Sequence, residues 1–119
     1  MATHRPVFGY WRLRGLGQSI KLLLAHAGVD YQLKEYPLDW EEWSADKYGL
    51  KLDFPNLPFY IDDQEGVRLT QSLTILRFLG RKHGLMPKIE KEIQRAELCE
   101  QQMEDLRKAI VELVYKDWV

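Results

Sequence analysis

The sequence predicts an α/β fold, a small domain of order β-α-β-α-β-β-α followed by one long helix, and three observations carry it. Short aromatic and β-branched runs alternate with amphipathic ones through residues 1–86, two of the helical runs stop at a glycine, and a charged stretch over 87–119 keeps an apolar stripe at helical spacing. With 119 residues and 45% hydrophobic content, the chain is long enough for one core but too short for two full domains. One domain over 1–86 with a helical appendage over 87–119 is the expected organisation.

Val7-Phe8-Gly9-Tyr10-Trp11 is short, aromatic and β-branched, which suits a buried strand. A turn through Gly15 and Gly17 leads into Gln18 to Ala27, a helix stopped by Gly28. Tyr31 to Tyr36 alternates as a second strand, so the first three elements make a right-handed βαβ crossover. The less regular segment that follows holds a short surface helix over Glu41 to Tyr48, with Asp39 as its cap.

Phe54-Pro55-Asn56-Leu57-Pro58 leads into the apolar run Phe59-Tyr60-Ile61. Pro58 has no N–H, which suits the first residue of a strand. Only about 5–6% of X-Pro bonds are cis, so the bare expectation is an ordinary loop; a cis bond would instead turn Leu57 so that its N–H and C=O point outward, an edge on which an extended peptide can add as a strand. A polar turn over Asp62 to Gly66 and the run Val67 to Thr70 complete an antiparallel hairpin. Gln71 to His83 reads as a helix with Leu73, Leu76 and Leu79-Gly80 on one side, stopped by Gly84.

Leu85-Met86-Pro87 is the link to the last helix, where Ile89, Ile93, Ala96, Cys99, Met103, Leu106, Ile110 and Leu113 recur at three- and four-residue intervals. Such a helix is about 45 Å long at about 1.5 Å per residue. It lacks a glycine cap and ends in aromatic and apolar residues, Tyr115, Trp118 and Val119, so its stripe is expected to be covered by further chain or by a partner subunit.

Seventeen basic and eighteen acidic residues leave a net charge of -1 with no long basic block, which argues against nucleic acid or an anionic membrane as main partner. The lone Cys99 excludes an intrachain disulfide framework and, lying in the helical stripe, reads as core. The first residues lack the apolar core of a signal peptide, no run is long enough to span a membrane, and the expected location is cytoplasmic. His4, His26 and His83 are scattered, so no metal site is expected.

Three motifs stand in order: Gly9-Tyr10-Trp11-x-Leu13-Arg14-Gly15, Leu52-Asp53-Phe54-Pro55-Asn56-Leu57-Pro58, and Thr70-Gln71-Ser72 ahead of Ile75-Leu76-Arg77-Phe78-Leu79-Gly80-Arg81-Lys82. Together they closely resemble the cytosolic glutathione transferases, class mu in particular, over nearly the whole chain. The resemblance implies a thioredoxin-like domain that binds glutathione, a cis bond before Pro58, and an all-helical second domain of which this chain carries only the first helix. Glutathione would be a co-substrate, with no separate cofactor. The sequence departs from class mu in two places. Arg12 stands where an acidic residue is usual, which alters the local charge. The stretch from Pro37 to Glu42 is shorter and lacks the basic residue that commonly precedes the tryptophan, which alters the wall of the pocket.

Unaided, a strand tyrosine such as Tyr10 is more often packing than chemistry. The resemblance implies that its hydroxyl donates to the glutathione thiolate, which then attacks a small electrophile. It further implies ligand contacts at Leu16, Asn56, Leu57 and Pro58, and at Trp43 and Lys47, which spacing alone makes a surface pair. Gln71 and Ser72 open a helix whose N-terminus favours the γ-glutamyl carboxylate, with N-capping by Ser72 as the plain alternative. Trp11 divides between core and ligand contact. Asp105 would reach the neighbouring subunit's ligand, Tyr115 would face the electrophile, and Phe54 would insert into the partner of a homodimer, although half of that receiving pocket is expected in sequence this chain lacks. A glutathione-binding module with little turnover, or an interaction protein using the apolar stripe, are the competing readings.

Overall fold

The computed structural model describes residues 4–116, so the expectations placed on the first residues and on Trp118 and Val119 lie outside the described residues. The chain divides into two units, one ending at His83 and one starting at Gly84. The first contains β1 (Val7–Trp11), a 3-10 turn (Gly15–Gly17), α1 (Gln18–His26), β2 (Gln32–Tyr36), α2 (Glu41–Asp46), β3 (Phe59–Asp62), β4 (Val67–Thr70) and α3 (Ser72–Lys82); the second contains α4 (Glu90–Tyr115). The predicted order is present throughout.

The four strands form one sheet in the order β2-β1-β3-β4, with β1 and β2 parallel and the other neighbours antiparallel. Side chains alternate across a sheet, so the register assigns two faces. Phe8, Tyr10 and Tyr60 share one face with α3, whose Phe78 ring lies 6.1 Å from that of Tyr60, and α3 packs in turn on α1. The opposite face presents Tyr36 and Phe59 to α2, where Trp43 stacks on Phe59 at 6.2 Å and meets Tyr36 edge-on at 5.3 Å. Ile20, Leu24, Ile75 and Leu79 complete a core in which each is fully buried.

Both expected glycine stops hold: Gly28 and Gly84 have φ of +68°, the left-handed conformation that ends helices at small cost only for glycine. Four details differ from the sequence reading. Tyr31 precedes β2, packing edge-on against Phe8. The short helix ends at Asp46, and Asp39 caps it by accepting the Glu41 N–H at 3.1 Å, with Trp40 between them at φ +71°. The fully buried residues of α3 are Ile75, Leu79 and Gly80, so its inward face is centred one residue before Leu76 and leaves Leu73 at the margin. The N-cap of α3 is Gln71 rather than Ser72, and it makes no side-chain cap hydrogen bond.

In the second unit, α4 runs 26 residues, about 39 Å at about 1.5 Å per residue, and none of its residues is buried. Cys99 is therefore exposed, against the expectation of a core position. Periodicity identifies an apolar face but not what covers it. None of the described helices is long and apolar enough to cross a membrane.

A charged clasp fastens the start of the described chain to the hairpin and to α3. Asp62, 3% exposed, accepts from the His4 ring at 2.6 Å and from the Glu65 N–H at 3.3 Å, and Lys82 lies 3.7 Å from it and 2.8 Å from Glu65. Burial alone would raise the Asp62 pKa, but the His4 and Glu65 hydrogen bonds and the charges of His4 and Lys82 outweigh it and hold the carboxyl below its usual range.

Candidate functional site

Three chain segments meet at one end of the sheet because of strand register. Gly9 is the last β1 residue paired with β3, opposite Phe59, and Phe59 is in turn opposite Thr70 of β4. One residue further along each strand come Tyr10, Pro58 and Gln71, side by side at that end of the sheet. The first, second and third sequence motifs are thereby joined.

Tyr10 points to the helical face and is 5% exposed. Its hydroxyl oxygen accepts the backbone N–H of Leu16 at 2.9 Å. The turn comes this close because it carries glycines: a Cβ on Gly15 would lie 2.4 Å from the Tyr10 hydroxyl oxygen, and one on Gly17 2.5 Å from Cδ2 of the ring. With its oxygen already accepting, the phenol keeps its own proton for an outside acceptor, and hydrogen bonds in series strengthen one another. The Leu16 side chain is half-buried against the core, and its N–H is engaged by Tyr10.

The Leu57-Pro58 bond is cis. Leu57 and Pro58 are buried, and the Leu57 N–H, expected to point freely outward, instead donates to Oδ1 of exposed Asn56 at 2.9 Å. An Asn side chain reaches its neighbour's N–H readily, which the backbone pattern alone did not disclose. Thr70 Oγ1 donates to the Phe54 carbonyl at 2.9 Å and ties this loop to the strand that leads into Gln71. Thr70 stands in the third motif, and its contact with the Phe54 carbonyl spans 16 residues of sequence, which no local pattern reveals. Phe54 itself is 77% exposed.

Gln71 has φ +71° and ψ 112°, an unusual conformation for a residue with a Cβ, and it turns the chain so that Ser72 begins α3. The first N–H groups of a helix lack partners within it, and the N-cap residue Gln71 makes no side-chain hydrogen bond to them.

Trp43 lies on α2, and Lys47 directly follows that helix. Trp43 is not half of a surface pair with Lys47: it is 1% exposed and embedded between Tyr36 and Phe59. Lys47 is partly exposed, its Nζ 5.5 Å from the Tyr48 ring. Trp11 is partly buried and packs on Trp40 at 5.1 Å. Asp105 is exposed on α4 and Tyr115 is the last residue of that helix, both in the second unit. Arg12, the charge departure, lies 3.6 Å from Glu35, which also pairs with Lys21 at 3.7 Å. Among the described residues no group of three or more His, Cys, Asp or Glu can hold a metal ion.

A 410 Å³ cleft of the first unit lies on the opposite face of the sheet and includes none of Tyr10, Leu57, Gln71 or Ser72. Its volume falls in the range of small-molecule sites. The convergence of a polarised hydroxyl, a peptide edge and an uncapped helix N-terminus favours the sheet end, and chemistry decides over volume.

The fold and this sheet end define a thioredoxin-like domain of the glutathione transferase type. A family model described as "Glutathione S-transferase, N-terminal domain" matches residues 6–81, and the chain belongs to that family. It is 47% identical over 117 residues to a glutathione S-transferase of Tyrophagus putrescentiae, covering 95% of this chain and 53% of that protein. It is 42% identical over 113 residues to glutathione S-transferase Mu 2 of Macaca fuscata fuscata, covering 90% and 51% respectively. The crystal structure of the glutathione S-transferase Blo t 8 superposes with a TM-score of 0.83 at 33% identity, over 92% of this chain and 50% of that one. The chain thus spans about half the length of these relatives.

Proposed function

We propose that the end of the sheet formed by Tyr10, Asn56-Leu57-Pro58 and Gln71-Ser72 binds glutathione and stabilises its thiolate for attack on an electrophilic carbon. The observation that carries this reading is the Tyr10 hydroxyl, which accepts the Leu16 N–H at 2.9 Å and so retains its proton for the sulfur. A hydrogen bond to a charged group contributes about 1.5–3 kcal/mol, or roughly one to two pKa units, enough to bring a thiol of pKa near 8.5 to around neutrality. The protein is neither base nor nucleophile in this scheme: glutathione supplies the attacking sulfur, and the Tyr10 O–H donates to its anion.

The cysteinyl backbone of glutathione would align with Leu57 as an added strand, and the γ-glutamyl carboxylate would meet the free N–H groups of α3. Lys47 and Trp43 would serve the glycyl end of glutathione, the buried Trp43 ring also holding α2 in place. Asp105 and Tyr115 would contribute from α4, the first to a neighbouring subunit's ligand and the second toward the electrophile. Exposed Phe54 would make the contact of a homodimer. Detoxification of electrophiles in the cytoplasm is the role that fits this chemistry.

The second reading, a glutathione-binding module with little turnover, is favoured by one fact: the chain spans about half the length of its relatives. Retention on immobilised glutathione followed by assay with a simple aryl halide tests both. Retention with Tyr10-dependent turnover supports the transferase; retention without turnover leaves the module; loss of both removes the glutathione reading.

A further inference from the structure

The sheet face that carries α2 is incompletely covered. Beside α2, Val7, Phe59 and Ile61 of the sheet and Leu50 of the following loop line the 410 Å³ cleft, whose volume lies within the roughly 300–1,000 Å³ range of small-molecule sites. Three cations and two carboxylates line it as well. Arg68 is fully engaged: Nη1 donates to the Leu50 carbonyl at 2.7 Å, and Nη2 pairs with Asp63. Asp46 accepts the Tyr36 hydroxyl at 2.7 Å. Lys34 extends over the Tyr36 ring at 5.1 Å and pairs at long range with Glu42, 4.0 Å away. Lys51 is exposed, stands at φ +56°, and among the described residues has no ion pair. The rim therefore carries Lys51, which has no ion pair among the described residues, and Lys34 in a long 4.0 Å pair that an incoming anion can share, above an apolar floor.

We infer that this cleft is a second binding site, for a small amphipathic carboxylate whose apolar body lies on Val7, Phe59, Ile61 and Leu50 and whose charge is met by Lys34 and Lys51. A cation would be repelled at the rim, and a bare inorganic anion would leave the apolar floor wet. The site is independent of the glutathione reading because it shares no residue with the Tyr10 constellation.

The test is an NMR titration of the 119-residue chain with 2-naphthoate. The expected result is saturable shifts at the amides of Gln32, Lys34, Lys51 and Ile61, undiminished by glutathione. Lys51→Glu and, separately, Lys34→Gln should each weaken binding about fivefold or more with the spectrum still that of a folded chain, and uncharged 2-naphthamide should bind correspondingly more weakly. Absence of saturable shifts, equal binding of the amide, indifference to both lysine variants, or shifts centred on Tyr10 or α4 would each overturn the proposal.

Discussion

The Tyr10 hydroxyl oxygen and the Leu16 backbone N–H are joined at 2.9 Å, so the one donor left on the phenol points away from the protein's own turn. Removing the hydroxyl in Tyr10→Phe leaves the Leu16 N–H without its acceptor and leaves a bound thiolate without its donor. Glutathione affinity is expected to change little, because most of the proposed contacts lie on the loop and α3. The pKa of the bound thiol is expected to rise by about one to two units, with conjugation at neutral pH slower by roughly ten- to a hundredfold. Ultraviolet titration of the thiolate in the bound complex reads the first, initial rates the second. An unchanged thiol pKa would sink the role given to Tyr10.

Gly17 holds the ring that carries this hydroxyl. A Cβ there would sit 2.5 Å from Cδ2 and 2.8 Å from Cγ of Tyr10, and the ring, clamped within the core, cannot yield without moving its oxygen. Gly17→Ala is expected to cost about 1–3 kcal/mol as overpacking and to raise the bound thiol pKa. Gly28→Ala is the control. Its φ of +68° makes alanine costly, but nothing lies within 4 Å of the added atom, so stability should fall with the thiol pKa unmoved. Equal effects of the two variants on the thiol would show that the clamp is not what aims Tyr10.

Asp62 makes stability depend on acid. Its folded pKa lies below its unfolded value of about 3.9, so the unfolded chain binds the proton more tightly. The stabilisation is present above the unfolded pKa and is lost as pH falls through the folded one. Denaturant midpoints should therefore decline in acid for the wild type. Asp62→Asn leaves His4 and Lys82 facing a neutral group and is expected to lower the midpoint near neutrality, with the difference from wild type shrinking as acid is added. A constant difference across the acid range would exclude this account.

Trp43→Ala is expected to cost about 3–5 kcal/mol, since the ring fills space between Tyr36 and Phe59 at 1% exposure. Lys47→Ala, four residues on, should stay within about 0.5 kcal/mol. Thermal melts of the two variants separate a core anchor from a surface partner. Comparable small losses would restore the surface pair.

That contrast marks what the sequence made legible. Long or strongly patterned elements, β1, α1, the β3–β4 hairpin and α4, were readable because periodicity and glycine stops act locally. The turn at Leu57-Pro58 was readable only through the motif around it, because the residues alone favour trans. Trp43 was misplaced because α2 has six residues, too few for spacing to define a buried face, and the sheet that receives the ring is assembled from distant strands. Cys99 shows the converse: its place in the apolar stripe is visible in the sequence, but a pattern does not say what covers the stripe, and in this chain the residue is exposed. At the candidate site the residue types were legible. The contacts of Thr70 with Phe54 and of Asn56 with Leu57 were not, since each depends on side-chain geometry rather than pattern.

The Asn56 contact carries a last expectation. Leu57 N–H has one hydrogen to donate, and in the free chain Asn56 Oδ1 takes it at 2.9 Å. Under the proposed strand addition, a cysteinyl carbonyl at this edge would displace that oxygen, so Asn56 would hold the donor before binding and release it on binding. Asn56→Ala removes the internal acceptor only. Amide exchange at Leu57 is expected to quicken roughly two- to tenfold in the free variant, the range given by a net hydrogen bond of about 0.5–1.5 kcal/mol. At saturating glutathione the variant and wild type should exchange alike, because the ligand now holds the same hydrogen. If the variant stays faster when saturated, Leu57 is not the group that pairs with the peptide, and the strand-addition geometry at this edge has to be abandoned.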